Sequence, residues 1–251
     1  MDQNLIILLI SFFFIALIYS SVGFGGGSSY LALLAQPVFL LLPEEIKPIA
    51  LCCNIIVVTG GTIIFYREGK IVWREVWPFL IGSVPMAYLG GFWKLEHDTF
   101  FIILACTLLV ASVFLWIQTE KISQNKKING SLPIKIALGG GIGFLSGLVS
   151  IGGGIFLSPI LHFLKWAEPK KISALASLFI LVNSISGLAG QINRGLPPIK
   201  YFLVGGLILA VFVGGQVGSR LGAKKFNPLY IKRITAALIF VAGVFILKEH
   251  L

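Results

Sequence analysis

Two glycine-rich stretches decide how this chain folds. Residues 21–29 read SVGFGGGSS, and residues 146–154 read SGLVSIGGG. Each stretch joins a longer apolar segment to a short one, which spans 27–42 in the first case and 153–165 in the second. Glycine-rich backbone inside hydrocarbon leaves N–H and C=O groups unpaired, so it occurs there only where protein buries it or a cavity adjoins it. If the chain is a membrane protein, each stretch predicts a hairpin of broken helices that turns inside the bilayer.

The composition indicates a polytopic membrane protein. Of the 251 residues, 57% are apolar and only 12% are charged, whereas a soluble domain carries about 25% charged residues. Ten apolar segments can be marked, most of them near the roughly 20 residues that a helix needs to cross a bilayer. The net charge of +10 resides in short polar gaps and forms no basic stripe with interleaved aromatics. These features exclude a disordered chain, a nucleic-acid-binding protein and an ordinary cytosolic enzyme.

The two glycine stretches belong to an internal repeat. The first aligns with the second at an offset of 127 residues, and Ala50, Gly61 and Gly69 then align with Ala176, Gly187 and Gly195 at 126. We therefore predict two five-segment halves, a first membrane repeat over 1–117 and a second over 134–251, joined by a cytoplasmic linker over 118–133.

The basic residues predict the orientation of these segments. When the gaps between segments are assigned alternately to two sides, 15 of the 20 Lys and Arg residues fall on one side and 5 on the other. The basic side is expected to face the cytoplasm, which places both termini outside the cell. Because each half has an odd number of segments, the second half must insert upside down. The predicted fold is thus an all-α, multi-pass protein of the cell membrane with two inverted repeats, each containing a glycine-broken hairpin.

The hairpins offer a site for an anion. Each short helix would begin just after its glycines, and the N–H groups and dipole at a helix N-terminus attract negative charge. Polar side chains inside the apolar segments add hydroxyl and amide donors, and an asparagine occurs on the equivalent helix face of each half. The predicted substrate-binding residues are Gly25, Gly26, Gly27, Ser28, Ser29, Asn54, Ser150, Gly152, Gly153, Gly154 and Asn183. The alternatives are that the glycines only permit close helix packing and that the asparagines only join helices.

Other sequence patterns limit the kinds of binding site that we predict and indicate where helices pack closely. All ten Asp and Glu residues lie at segment ends or in the gaps, so a buried carboxylate relay for protons or cations is not predicted. The sequence also lacks a recognisable metal-binding or cofactor-binding motif, and we expect neither group. Two glycine ladders with four-residue spacing, Gly139, Gly143, Gly147 and Gly214, Gly218, Gly222, predict close helix packing.

The glycine-triplet turns, each followed by an Ala-led helix and a further glycine before the next crossing, resemble those of the TauE/SafE sulfite exporter family. The resemblance covers essentially the whole chain. It implies transport of sulfite, sulfonates or related organosulfur anions across the bacterial inner membrane.

The predicted function is accordingly secondary transport of a small sulfur-containing anion by alternating access, and not enzymatic catalysis. A passive anion channel and a transporter of another small anion are the alternatives; an intramembrane enzyme and an accessory subunit without transport activity are weaker ones. The expected partners are the anionic substrate and the lipid bilayer but no nucleic acid, and a homo-oligomer is left open.

Overall fold

The computed structural model describes residues 3–21, 23–39, 41–117, 131–164, 166–197, 201–225 and 228–250. Within these residues the regular structure is entirely helical. It consists of α1 (Gln3–Ser20), α2 (Gly27–Leu34), α3 (Pro43–Arg67), α4 (Trp73–Phe92), α5 (His97–Ile117), α6 (Leu132–Val149), α7 (Gly154–Phe163), α8 (Pro169–Arg194), α9 (Tyr201–Lys225) and α10 (Pro228–His250), with a short 3-10 helix over Pro37–Phe39.

The ten helices follow the ten predicted apolar segments. α6 begins at Leu132, two residues before the predicted start of the second half, and residues 118–130 of the predicted linker lie outside the described part of the chain. The first short segment, predicted over 27–42, is helical only to Leu34. It stops there because Pro37 disfavours helical backbone at the residue before it, and the 3-10 helix follows.

Several helices have the dimensions of membrane spans. Among the described residues, five stretches are long and apolar enough to cross a bilayer: Pro43–Arg67, His97–Ile117, Leu132–Val149, Pro169–Arg194 and Phe202–Arg220. Large apolar side chains also point away from the protein, including Phe14, Ile81, Phe202 and Phe245. Such an outer surface is favourable against lipid, so the predicted integral membrane class agrees with the structure.

The glycine ladders bring two pairs of helices into close contact. In α6, a Cβ on Gly139 would overlap the backbone oxygen of Phe79, and one on Gly143 would lie 2.6 Å from the Ser83 backbone. In α9, Gly214 and Gly218 face the α1 backbone in the same way. Any side chain at these positions would push the helices apart, so the predicted packing role is confirmed for them. The surroundings of Gly222 lie outside those that the structure describes.

The helices of the two halves interleave. α1 packs against α9, and α4 packs against both α6 and α8. α3 contacts α8 and α9, while α5 pairs with α10. The short helix α2 contacts α3 and α10, and the short helix α7 contacts α8 and α5. Both short helices are therefore held between long helices drawn from both halves.

Contacts also join the segments between helices. On one side, Lys94 Nζ lies 3.8 Å from a carboxylate oxygen of Glu44, and Arg194 Nη1 donates a 3.2 Å hydrogen bond to the Trp93 carbonyl. On the other side, the Lys135 ammonium lies 4.4 Å from the centre of the Trp166 ring. Each of these contacts links gaps that the alternating assignment puts on the same side of the membrane.

Candidate functional site

The two glycine turns share one unusual backbone geometry. Gly26 precedes α2 with φ 85° and ψ 6°, and Gly153 precedes α7 with φ 81° and ψ −14°. This left-handed conformation is open to glycine and costly for other residues. In each turn the first helical hydrogen bonds are accepted by that glycine's carbonyl oxygen, for example from Tyr30 N and Leu157 N. The N–H groups of the first residues of each short helix therefore have no acceptor within the helix.

The turns are in contact with each other. A Cβ on Gly27 would lie 2.8 Å from the carbonyl oxygen of Ile151, closer than real Cβ atoms approach an oxygen. Gly27 opens α2, and Ile151 lies in the second turn, just before α7. The two turns thus lie side by side, and glycine at position 27 allows this close approach.

Asn54, on α3, joins the two turns through its amide. Its Nδ2 donates a 2.9 Å hydrogen bond to Ser184 Oγ on α8 and a 3.4 Å bond to the Ile151 carbonyl. The side chain is fully buried, and a Cβ on either Gly25 or Gly152 would overlap it. Asn54 Oδ1 has no hydrogen-bond partner among the described residues. The amide therefore bonds the second turn to α8 and packs against the first turn at Gly25.

Asn183, on α8, has different surroundings. It is 1% exposed, yet neither its Nδ2 nor its Oδ1 has a hydrogen-bond partner in the described part of the chain. The residue that packs on the second turn as Asn54 packs on the first is Ile180, which borders Gly152 and Gly154. Asn183 lies one helical turn further on. This offset of one turn is the one that the alignment of the repeats gives, and the structure adds a difference in bonding: Asn54 has hydrogen bonds and Asn183 has none among the described residues.

The serines of the first turn lie at the start of α2. Ser28 is 2% exposed and Ser29 is 9% exposed, and Ser29 Oγ forms a 2.6 Å hydrogen bond with the Tyr19 hydroxyl. The Tyr30 hydroxyl is buried without a partner among the described residues and would lie 3.1 Å from a Cβ on Gly26. Hydroxyl groups thus surround the first turn.

Ser150, in the second turn, is held in a strained conformation. It ends α6 with φ 64° and ψ 36°, and it is the one non-glycine residue with positive φ among those described. Its Oγ accepts a 2.8 Å hydrogen bond from Gln191 Nε2, which leaves the hydroxyl proton available to a ligand. Strain of this kind in a buried residue suggests a functional constraint. The aligned position of the first turn is Gly23, with φ 82°.

Two substitutions of Ser150 separate its strain from its hydroxyl. Ser150→Gly removes both the hydroxyl and roughly 1–2 kcal/mol of backbone strain, so we expect thermal stability close to wild type. Ser150→Ala keeps the strain and loses the hydrogen bond, so its melting temperature should fall. If the hydroxyl binds the solute, both variants should need a higher substrate concentration to reach half-maximal transport. If Ser150→Gly has the same half-saturating substrate concentration as the wild type, the Ser150 hydroxyl does not bind the solute.

Lys47 is a buried basic residue of α3, and its Nζ lies 4.7 Å from the centre of the Phe100 ring on α5. It is 2% exposed and lies seven residues before Asn54, hence on the same face of α3 and about 10 Å along the helix. Its charged neighbours are Arg194 and Glu44, and Glu44 also pairs with Lys94. The Phe100 ring and the charge of Glu44 therefore help to stabilise this buried ammonium group. In the sequence, Lys47 is one of the basic residues whose distribution predicts the membrane orientation, and nothing there marks it as buried.

Comparison with known proteins agrees with this architecture. The family model described as sulfite exporter TauE/SafE matches residues 8–246. The chain belongs to the TauE/SafE sulfite exporter family. The resemblance noted in the sequence is thereby confirmed over nearly the whole chain, and the family is one of membrane transporters.

Several curated relatives support the assignment to the TauE/SafE family. A probable membrane transporter protein of Sinorhizobium fredii is 34% identical over 97% of this chain and 98% of its own length. One from Methanocaldococcus jannaschii is 25% identical over 96% of this chain and 94% of its own length. Sulfite exporter TauE/SafE family protein 3 of Arabidopsis thaliana is 29% identical over 46% of this chain and 24% of its own length. No solved structure matches the chain.

The predicted site residues of this TauE/SafE protein lie in its interior. Every predicted site residue is buried, with exposure of at most 9% among the serines and asparagines. A groove of about 400 Å³ between α5 and α10 lies elsewhere, and apart from Ser112 its lining is apolar, as expected of a surface in contact with lipid. That groove does not suit an anion, whereas the glycine turns present donors in a desolvated setting.

Sequence reasoning missed several polar groups around the turns. Ser146 Oγ has no partner among the described residues, and its Cβ would lie 3.2 Å from a Cβ on Gly153. Tyr30 Oη is likewise buried without a partner in that part of the chain, as is Oε1 of Gln191, a residue that the sequence does mark as polar within an apolar segment. Ser146 could have been found from the sequence, because it lies four residues before Ser150 and therefore on the same helix face. Tyr30 directly follows Ser28 and Ser29 and precedes an apolar run, and its place beside these two predicted serines could have indicated it.

Proposed function

We propose that this TauE/SafE protein is a secondary transporter that binds a small sulfur-containing anion, such as sulfite or a sulfonate, between its two glycine turns. One observation carries the proposal: two short helices begin side by side in a buried region that also holds several unpartnered polar side chains. Each such group costs roughly 1–3 kcal/mol when it is buried without a hydrogen bond. A bound polar solute would offset that cost.

The character of the polar groups favours an anion. The hydroxyls, the Asn183 amide N–H groups and the helix N-terminal N–H groups near the turns can donate hydrogen bonds to an oxyanion. The acidic residues lie at helix ends or between helices. The sulfur-containing substrate class is inferred from the family name.

We assign the binding residues distinct roles. The N–H groups near Gly26, Gly27, Gly153 and Gly154 hold the oxyanion together with the hydroxyls of Ser28, Ser29 and Ser150. Asn183 donates a lateral hydrogen bond, because its amide has no other partner among the described residues. Asn54 sets the distance between the turns through its bonds to Ile151 and Ser184, and Gly25 and Gly152 make room for it.

We further propose that residues 1–117 and 134–251 are inverted repeats and that relative movement of the two halves gives alternating access. The helix contacts support this proposal, because exchange of the halves converts the α1–α9 contact into α6–α4, α2–α3 into α7–α8, and α2–α10 into α7–α5. Positive φ angles also recur at aligned positions: Gly23 and Ser150, Gly26 and Gly153, Gly69 and Gly195. The burial of all predicted site residues is consistent with such a cycle.

The topology can be tested with a reporter. The 15-to-5 split of basic residues predicts that both termini face outside the cell. A C-terminal fluorescent protein that matures only in the cytoplasm should therefore stay dark, while the same reporter inserted after Arg74 should fluoresce. Strong fluorescence from the C-terminal fusion would contradict the orientation.

Purified protein in liposomes tests the function itself. We expect saturable uptake that is accelerated by unlabelled substrate on the opposite side, with sulfite, thiosulfate, sulfonates and sulfate compared under one gradient. Uptake that rises linearly with concentration and shows no counterflow would indicate a passive anion channel. Absence of flux for every sulfur anion, together with flux of another anion, would contradict the substrate class.

A further inference from the structure

Three potential metal ligands meet at one corner of the protein, away from the glycine turns. His97 and Asp98 open α5, and His250 is the last residue of α10. One ligand atom from each lies within 4.8 Å of the others. His97 Nδ1 and His250 Nδ1 are each 3.3 Å from Asp98 Oδ1. Two of the three histidines in the chain thus converge on a single carboxylate.

The spacing of these atoms suits a tetrahedral metal ion. Ligands that sit 2.0–2.2 Å from Zn²⁺ are about 3.4 Å from one another in tetrahedral geometry. The two nitrogen–oxygen distances of 3.3 Å are close to this value. They are longer than the usual 2.9–3.0 Å of an N–H···O hydrogen bond. Small side-chain movements would therefore let all three atoms reach one ion, with a fourth position left for water.

A buried aromatic ring holds both imidazoles in place. Phe101, which is 3% exposed, stacks on His250 with ring centres 4.3 Å apart and meets His97 edge-on at 4.9 Å. This packing fixes the rings without using their nitrogen atoms. The ring of His250 is the more enclosed, with 15% of its side chain exposed, while Asp98 is open to solvent. An ion from solution can therefore reach ligands that are already oriented.

We propose that His97, Asp98 and His250 form a binding site for a divalent transition-metal ion, with Zn²⁺ as the best-suited ion. Two imidazoles and one carboxylate are ligands that Zn²⁺ accepts readily, whereas Ca²⁺ and Mg²⁺ prefer oxygen ligands. The bound ion joins the start of α5 to the end of α10. These two helices pack against each other, and they also contact the short helices α7 and α2. The ion would thus fasten the helix pair that flanks both glycine turns.

The test uses the full chain, purified through an affinity tag that contains no histidine, and stripped with a chelator. Zn²⁺ should raise the melting temperature by about 5 °C when present at roughly 100 times its dissociation constant. Calorimetric titration should give one ion per chain. Mg²⁺ at the same concentration should give no shift. Neither readout depends on transport, so failure here is distinguishable from failure of the proposed function.

Variants identify the ligands. His97→Ala and His250→Ala should each lower Zn²⁺ affinity by at least about tenfold, and Asp98→Asn should lower it as well. Glu249→Gln, which removes a carboxylate beside the site but outside the cluster, should bind Zn²⁺ as the wild type does. Equal Zn²⁺ binding in all variants would overturn the proposal. So would a wild type that binds no Zn²⁺, with the variants merely less stable, because the cluster would then be only hydrogen-bonded.

Discussion

Gly153→Val should abolish anion transport while the protein still reaches the membrane. Position 153 has a φ of 81°, which a β-branched residue rarely adopts. A Cβ there would lie 2.9 Å from Phe179 and 3.1 Å from Ile142. Strain and overpacking of this kind each cost about 1–3 kcal/mol. The substitution would turn the N-terminus of α7 away from the solute and close the space beside it.

A matched control isolates the effect of the turn. Gly141→Val makes the same change in the same half of the chain, but at an exposed position with no atom within 4 Å of the added Cβ. We expect it to transport normally. Gly153→Ala adds a smaller group at the same left-handed position. Its transport can be measured instead if the valine variant fails to fold. Wild-type flux in Gly153→Val, measured in liposomes with equal amounts of inserted protein, would show that this glycine has no part in transport.

Asn183→Leu should weaken substrate binding and at the same time stabilise the protein. If the amide donates to a desolvated anion, its loss costs roughly 1.5–3 kcal/mol of binding free energy, or about ten- to over a hundredfold in affinity. Neither amide atom has a partner among the described residues, so the empty protein loses no hydrogen bond when leucine replaces asparagine. Removal of buried, unpaired polar atoms should instead raise the melting temperature in detergent.

Asn54→Leu serves as the comparison and should behave in the opposite way. It breaks the hydrogen bonds to Ser184 and Ile151 and leaves both groups buried and unpaired, at a cost of about 1–3 kcal/mol of stability. Its melting temperature should fall, and transport should fall with the amount of folded protein. Melting temperature and substrate affinity measured on the same preparations distinguish the two roles. An unchanged affinity together with a lower melting temperature in Asn183→Leu would contradict its assignment as a ligand.

Much of the fold was predictable because hydrocarbon imposes strong constraints. A helix that crosses a bilayer needs a long apolar run, so the ten segments and their approximate bounds could be read from hydropathy. The glycine ladders predicted close packing because only a missing side chain allows backbones to approach as Gly139 and Phe79 do. The end of α2 at Leu34 was missed, because residues 35–42 are apolar enough to continue the pattern although Pro37 interrupts the helix.

The bonding within the site was not predictable, because it depends on distances between residues far apart in the chain. Asn54 and Asn183 have the same side chain and similar apolar neighbours in sequence. Only the fold brings Asn54 next to Ile151, 97 residues away, and Ser184, 130 residues away. The strained φ of Ser150 and the unpartnered hydroxyl of Tyr30 likewise arise from tertiary contacts. The glycine turns could be found from local sequence because their backbone conformation requires a particular residue type.

The central claim, that an oxyanion binds between the two glycine turns, can be tested by locating the anion directly. Selenite has the geometry of sulfite and scatters X-rays anomalously. Uptake of selenite is first measured in liposomes. Crystals of the same protein are then soaked in selenite, and diffraction is measured at the selenium absorption edge. We expect one buried anomalous peak within hydrogen-bond distance of the first N–H groups of α2 or α7 and beside Asn183. A peak confined to the protein surface, or none between the turns of a protein that transports selenite, would contradict it.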